Sequence, residues 1–221
     1  MNPIPHSAIS ALILAGGRAQ RMGGHDKGLV ELRGQPMICH VIAALTPQLE
    51  LIRINANRNQ ARYAALGQTP KIMSDPAAGA TTPHATQRPF EVISDSLSNF
   101  QGPLAGIAEG LQSCPTPWML VTPCDTPLLP RDLVRRLAAQ AGQEAAEIAV
   151  AHDGQRMQPV ISLIKRELLE SLQHYLSSGE RKIDRWYASH RVCCVDFSDQ
   201  PTAFLNINSV TDKQLLENHA V

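Results

Sequence analysis

Two patterns of apolar residues alternate along the chain, and together they predict a layered α/β fold. Six short apolar runs are typical of buried strands, at residues 9–14, 51–54, 118–121, 148–151, 160–164 and 192–197. Between several of these runs, apolar residues recur every three or four positions, as on one face of a helix, after Pro36, Pro103 and Pro130 and again from Leu168. Strands that alternate with helices predict a mostly parallel, Rossmann-like sheet between two helical layers, a three-layer α/β/α arrangement.

The second half of the chain carries a signal for an antiparallel pair of strands. His152, Asp153 and Gly154 form a short polar turn between two predicted strands, as in a hairpin. We therefore expect a mixed sheet, within a single domain that spans residues 1–221. Residues 67–92 contain four prolines and little periodicity, and they predict one long inserted loop.

Composition narrows the class of protein. Lysine plus arginine and aspartate plus glutamate number 20 each, so the formal net charge is zero, and we expect neither nucleic acid nor an anionic membrane as a partner. The five cysteines form no CxxC pair, and Cys193 and Cys194 point to opposite faces if they lie in a strand. The N-terminal apolar run lacks a preceding basic region and ends at Gly16 and Gly17, unlike a secretory signal. A cytoplasmic protein in a reducing compartment is the expectation.

Glycines and basic residues follow the first predicted strand, between Leu14 and Lys27. Paired glycines let the backbone come close to a ligand, so that successive N–H groups can converge on phosphate oxygens. Arg21 and Lys27 would then neutralise a polyphosphate at the carboxyl ends of the strands, where open α/β sheets bind ligands. A connector with solvated basic residues is the alternative, but this combination directly after an apolar strand favours phosphate binding. The GxxxxGK[ST] and GxGxxG patterns are both absent here.

Two further polar residues follow predicted strands. Asp125 lies between Pro123 and Pro127, which suits a Mg²⁺ ligand, since Mg²⁺ takes one or two carboxylates plus phosphate oxygens and water. An aspartate that only forms a turn is the alternative. Asn55 ends the strand at 51–54 and either contacts a base or ribose or forms a turn.

The segment LILAGGRAQRMGGHDK at residues 12–27 resembles the LAGGxxxRMGxxDK motif of the GT-A-like nucleotidyltransferases, and in particular of the molybdenum cofactor guanylyltransferases. The similarity continues in order along nearly the whole chain, through segments such as GPLAG at 102–106, PCDTP at 123–127 and FLNIN at 204–208. It implies the GT-A-like fold, with a nucleotide-binding half at about 8–130 and an acceptor-binding half at about 145–215.

The resemblance also assigns site residues. It implies a GTP-binding set of Leu14, Ala15, Gly16, Gly17, Lys27, Asn55, Asp95 and Asp125, in which Asp125 binds Mg²⁺, and a catalytic set of Arg21, Lys27 and Asp125. Asp95 is preferred to the similarly flanked Asp75 because GPLAG follows it closely. Candidates for binding the acceptor are the hairpin 152–158, the basic pair Arg181 and Lys182, and Asn206 with Asn208. These asparagines share a face if they lie in a strand, whereas a solvated helix face is the alternative for the basic pair.

By this resemblance, the chain transfers GMP from GTP to the phosphate of molybdopterin and releases pyrophosphate. It also implies molybdoenzymes or cofactor-chaperone proteins as further partners. A cytidylyltransferase or a sugar-phosphate nucleotidyltransferase stays open, because spacing does not separate guanine from cytosine selectivity. A nucleotide-sensing adaptor without catalysis is a third interpretation, marked by loss of Lys27 or Asp125; both residues are present.

Overall fold

The computed structural model describes residues 3–15, 26–68, 90–95 and 102–218. The strands in these ranges are β1 Ile9–Leu14, β2 Glu31–Leu32, β3 Gln35–Pro36, β4 Ile52–Asn55, β5 Glu91–Ile93, β6 Trp118–Pro123, β7 Ile148–His152, β8 Met157–Lys165 and β9 Val192–Asp196. The α-helices are α1 Met37–Leu45, α2 Gln60–Ala65, α3 Pro103–Gln112, α4 Leu133–Gln143, α5 Leu169–Ser177, α6 Ile183–Tyr187 and α7 Val210–Asn218.

Seven strands form one sheet in the order β5-β4-β1-β6-β8-β7-β9. The pairs β5–β4, β4–β1, β1–β6 and β7–β9 are parallel, whereas β8 runs antiparallel to both β6 and β7. The hairpin predicted around Asp153 joins β7 to β8, so the mostly parallel mixed sheet is confirmed. From β1 the chain moves to β4 and β5 on one side, and β6 then lies on the other side of β1. Such a switch in strand order opens a crevice at the carboxyl ends of the strands.

Helices cover both faces of the sheet. Side chains alternate along β1, so that Ile13 packs in a buried cluster with Ile38 of α1 and Leu133 of α4. Leu12 faces the other way, into a second cluster that includes Leu104 of α3 and other residues of α3 and α5. Burial of this apolar surface, worth about 25 cal/mol per Å², holds the layers together. The three-layer α/β/α fold predicted from the apolar patterns is confirmed.

The loop predicted at 67–92 extends too far, because Glu91 and Val92 belong to β5, which pairs with β4. This strand was not predicted, since three residues are too few to produce a recognisable alternation of apolar and polar positions. Residues 69–89 lie outside the described residues. Cys193 is buried and Cys194 is exposed, as predicted for a strand, and all five cysteines are free thiols. Within the described ranges, no helix combines the length and apolarity that crossing a membrane requires.

Candidate active site

The segments that follow four parallel strands meet at one edge of the sheet. Three backbone N–H groups continue the strand pairing beyond its regular part, from Ala15 to the carbonyl of Asn55, from Ala56 to that of Ile93, and from Cys124 to that of Leu14, at 2.8–3.0 Å. These bonds fix the polypeptide on both sides of the crevice beside β1. The predicted residues Leu14, Ala15 and Asn55 therefore lie together, next to the start of the segment that carries Asp125.

Lys27 and Asp125 are in direct contact at this edge. Lys27 begins a short 3-10 helix, Lys27–Leu29, and its ammonium group donates hydrogen bonds to Oδ2 of Asp125 and to Oδ1 of Asn208. The side chains of Lys27 and Asp125 are only 15% and 13% exposed, so water screens this ion pair less than one at the surface. The structure thus joins a cation and a carboxylate that are 98 positions apart in sequence.

The C-terminal segment completes this cluster. The N–H of Ile207 donates to the carbonyl of Asp125 at 3.0 Å, and the N–H of Asn208 donates to the Asp212 carboxylate at 2.9 Å. Asn206 and Asn208 do not lie in a strand, because residues 205–208 form no ladder. They are nevertheless both exposed, on either side of the buried Ile207, since that apolar side chain packs against Leu32 and Met37.

Two asparagines hold the carboxylate of Asp95. The amide of Asn55 donates to Oδ1 of Asp95 at 2.9 Å, and the amide of Asn57 donates to Oδ2 at 2.8 Å. Asn57 also accepts a hydrogen bond from the N–H of Asp95 at 2.8 Å. Gly106 makes room for this arrangement, because a Cβ there would lie 2.6 Å from Oδ1 of Asn55. Asp75 lies outside the described residues, whereas Asp95 stands at the same sheet edge as Asn55.

A pocket of about 340 Å³ opens beside Asp125, on the side of β8. Its lining includes polar groups of Asp125, Arg156, Gln158 and Asn206 and the apolar residues Met157, Pro159, Val160 and Ile161. The pairing of β7 with β8 shifts register between Val150 and Ala151, and Pro159, which cannot donate to a ladder, lies in the part of β8 that bulges there. Bulges of this kind re-aim side chains near functional sites.

The turn before this pocket is held by Asp153. Its carboxylate accepts hydrogen bonds from the N–H groups of Gln155 and Arg156 and from the amide of Gln158, at 2.7–2.8 Å. Burial opposes ionisation, but the bonds from Arg156, Gln155 and Gln158 keep the pKa of Asp153 below its ordinary value. Asp153 therefore stays ionised near neutral pH and fixes the backbone from which Arg156 and Gln158 extend.

Some predicted residues are not placed in this cluster. Gly16, Gly17 and Arg21 lie outside the described residues. Arg181 donates to the carbonyl of Leu176 at 2.9 Å, which is the contact of a side chain that caps the C-terminal end of α5. Asn57 was not among the predicted residues, although it stands two positions after Asn55, because an asparagine after a strand is typical of a turn.

Comparisons with known proteins agree with this geometry. A family model described as the MobA-like NTP transferase domain matches residues 11–193. The molybdenum cofactor guanylyltransferase of Shewanella sediminis is 50% identical over 208 residues, which cover 94% of this chain and 95% of that protein. The enzyme of the same name from Shewanella pealeana is 47% identical over 218 residues, covering 96% and 98%.

A solved structure has the same fold. Molybdopterin-guanine dinucleotide biosynthesis protein A from Archaeoglobus fulgidus superposes with a TM-score of 0.71 at 18% identity, over 94% of this chain and 96% of that one. The fold, the polar cluster at the sheet edge and the family match agree, and the chain belongs to the MobA-like NTP transferase family of nucleotidyltransferases.

Proposed function

We propose that this enzyme transfers GMP from GTP to the phosphate of molybdopterin and releases pyrophosphate, which forms the guanine dinucleotide form of the molybdenum cofactor. The observation that carries the proposal is the contact of Lys27 with Asp125 at the carboxyl ends of β1 and β6, beside an open pocket. A cation and a carboxylate at this position suit a metal-bound triphosphate. The names of the relatives, which are guanylyltransferases, supply the nucleotide and the acceptor.

The nucleotide is assigned to the side of the edge formed by β1, β4 and β5. The proposed GTP-binding residues are Leu14, Ala15, Gly16, Gly17, Lys27, Asn55, Asp95 and Asp125, with Arg21 and Lys27 on the phosphates. Asn55 and Asp95 already support each other through a hydrogen bond, so both enter the complex in a fixed orientation. Little conformational entropy is then lost on binding.

The residues at this edge fit Mg²⁺. No cluster of three or more His, Cys, Asp or Glu side chains occurs in the described ranges. Mg²⁺ suits such a site because it takes one or two carboxylates together with phosphate oxygens and water. The carboxylate of Asp125, which Lys27 contacts through Oδ2, would hold the cation. When bound, Mg²⁺ would polarise the α-phosphate and offset the charge on pyrophosphate.

The chemistry needs positioning and charge neutralisation more than a base. A phosphate monoester carries its second charge above a pKa of about 6, so an oxygen of the acceptor phosphate attacks the α-phosphorus of GTP directly. The new P–O bond forms as the bond from the α-phosphorus to the oxygen bridging to the β-phosphate breaks, and pyrophosphate leaves with that electron pair. Lys27 neutralises the negative charge that accumulates on the phosphates, and the fixed sheet edge orients them.

The acceptor is assigned to the pocket beside Asp125. Arg156 supplies a cation for the phosphate of molybdopterin, and Asn206 and Gln158 supply amides for its polar ring atoms. Asn208, already bound to Lys27, links the acceptor side to the triphosphate. The mixture of polar groups and apolar Met157 and Val160 matches a flat heterocycle with polar edges. We place the enzyme in the cytosol, which its five free thiols support.

Pyrophosphate release tests this function. GTP, CTP, ATP and UTP are each supplied with Mg²⁺, with and without molybdopterin, and the mass of the product is measured by mass spectrometry. Release that requires both GTP and molybdopterin, with GMP added to the acceptor, is the expected result. Faster release with CTP would make the enzyme a cytidylyltransferase. Binding of GTP without release in any combination would support the adaptor interpretation instead.

A further inference from the structure

A second carboxylate, that of Asp26, is buried immediately before Lys27 and is not used by the proposed chemistry. Only 8% of Asp26 is exposed, although its neighbour Lys27 extends to the cluster with Asp125. The Asp26 carboxylate accepts a hydrogen bond from the hydroxyl of Tyr63 and another from the amide of Asn59 at 2.9 Å. Both donors come from the region of α2, which follows β4 in the chain.

From this geometry we propose that Asp26, held by Tyr63 and Asn59, is a positioning residue that aims Lys27 at the triphosphate. This inference rests on the proposed function, since Lys27 has a task only if a polyphosphate is bound. The carbonyl of Asp26 accepts the N–H of Leu29 at 3.0 Å, which closes the 3-10 turn that Lys27 begins. Fixing Asp26 therefore fixes the turn and the direction in which Lys27 leaves it.

The contacts around Asp26 require an acceptor on each carboxylate oxygen. Tyr63 donates to Oδ1 and Asn59 donates to Oδ2, and an ionised aspartate accepts at both oxygens, whereas an asparagine would direct its own N–H groups at one donor. Hydrogen bonds to a charged group are also stronger than neutral ones. Burial, followed by the hydrogen bond to Asp26, raises the pKa of Tyr63 well above its ordinary value, so the phenol keeps the proton that it donates.

Two backbone features fit Tyr63 and Asn59 to this role. Gly28 lies over the phenol, and a Cβ at that position would be 2.7 Å from the Tyr63 oxygen. Asn59 has a left-handed φ of 51°, which brings its side chain toward Asp26 while its carbonyl accepts the first N–H groups of α2, from Arg62 and Tyr63. Asparagine tolerates this conformation better than most residues.

Removal of one donor, by Tyr63→Phe, tests the role of Asp26. The variant keeps the buried ring but leaves Oδ1 of Asp26 without its donor, so the turn loosens. We expect GTP affinity, measured by calorimetry, and kcat/KM for pyrophosphate release to fall about tenfold, because small displacements of a charge that contacts the reacting group are costly. In a Lys27→Ala background, the same substitution is expected to cost nothing further, since its effect passes through Lys27.

A matched control distinguishes this role from lost stability. Thr116→Val removes a buried hydroxyl that donates to the carbonyl of Trp118 at 2.8 Å, near the start of β6 and thus at the opposite edge of the sheet. It should lower the melting temperature while leaving GTP affinity unchanged. Equal losses of GTP affinity for Tyr63→Phe in the presence and absence of Lys27, or a loss no larger than that of Thr116→Val, would overturn the inference.

A second variant covers the case in which Tyr63→Phe does not fold. Asn59→Gly removes the other donor to Asp26, and glycine adopts the left-handed φ of this position without strain. It should reproduce the loss of GTP affinity in smaller measure, again only when Lys27 is present. If the wild-type chain binds GTP but transfers nothing, only the proposed function is refuted. The coupling of Tyr63 to Lys27 can still be measured in that case, because it is obtained from GTP affinity.

Discussion

The two sides of the candidate active site are built differently. On the nucleotide side, polar side chains satisfy one another: Asn55 and Asn57 hold Asp95, and Lys27 holds Asp125. On the acceptor side, Arg156 is 74% exposed in its side chain, and its only ion pair among the described residues is a 4.0 Å contact with Asp153. The backbone that carries Arg156 is fixed, but the group that would meet the ligand is not.

This difference determines which side chains are oriented during folding and which are oriented only when the ligand binds. Orienting the nucleotide-side groups during folding removes the entropy cost of ordering them when GTP arrives. An exposed arginine retains several rotamers, so the entropy lost when it becomes ordered makes the net binding free energy less favourable. The nucleotide side therefore suits a ligand whose phosphates must be placed accurately, and the acceptor side suits one that is accommodated on arrival.

The largest effect is expected where the two sides meet. Asp125→Asn removes the carboxylate proposed for Mg²⁺, and Lys27→Ala removes the charge on the phosphates. Each should lower the rate of pyrophosphate release by about 100- to 1000-fold, the size seen when one group that stabilises transition-state charge is removed. Steady-state kinetics with GTP and molybdopterin measures this loss, and circular dichroism checks the fold. Normal turnover in Asp125→Asn would remove that residue from the metal site.

A smaller effect tests the preformed nucleotide side. In Gly106→Ala the new methyl group would meet Oδ1 of Asn55 at 2.6 Å and displace the amide that supports Asp95. We expect about tenfold weaker GTP binding by calorimetry, consistent with the loss of a hydrogen bond to a charged group. Gln112→Ala, at an exposed position of the same helix, is the control and should bind GTP normally. Unchanged affinity in Gly106→Ala would mean that Asn55 need not be oriented in advance.

The smallest effect is expected on the acceptor side. Arg156→Ala and Asn206→Ala should each raise KM for molybdopterin about three- to tenfold, since an exposed polar contact contributes about 1 kcal/mol, and they should leave GTP affinity unchanged. Titration of molybdopterin at saturating GTP measures the first quantity, and calorimetry measures the second. A variant that weakens GTP binding as much as molybdopterin binding would contradict the division of the site into two sides.

The sequence predicted the parts of the structure that have a strong local signal. The apolar run of β1 ends at glycines, and Asp125 and Asn55 follow other buried runs, so their meeting at one sheet edge follows from parallel pairing. Tyr63 was not predicted, because α2 is short and only this residue of it is buried, which gives no apolar periodicity. The bulge at Pro159 was missed because it depends on how β7 and β8 pair, and pairing is not encoded in one strand alone.

The bond between Lys27 and Asn208 spans 181 positions of the chain, and this separation has a consequence for biosynthesis. Translation delivers the chain from its N-terminus, so a nascent chain that has emerged only through β9 carries Lys27 and Asp125 but still lacks Asn208 and the N–H of Ile207 that binds the Asp125 carbonyl. The pocket wall formed by Asn206 is missing at that stage too. A ribosome-bound intermediate is thus unable to assemble the complete cluster.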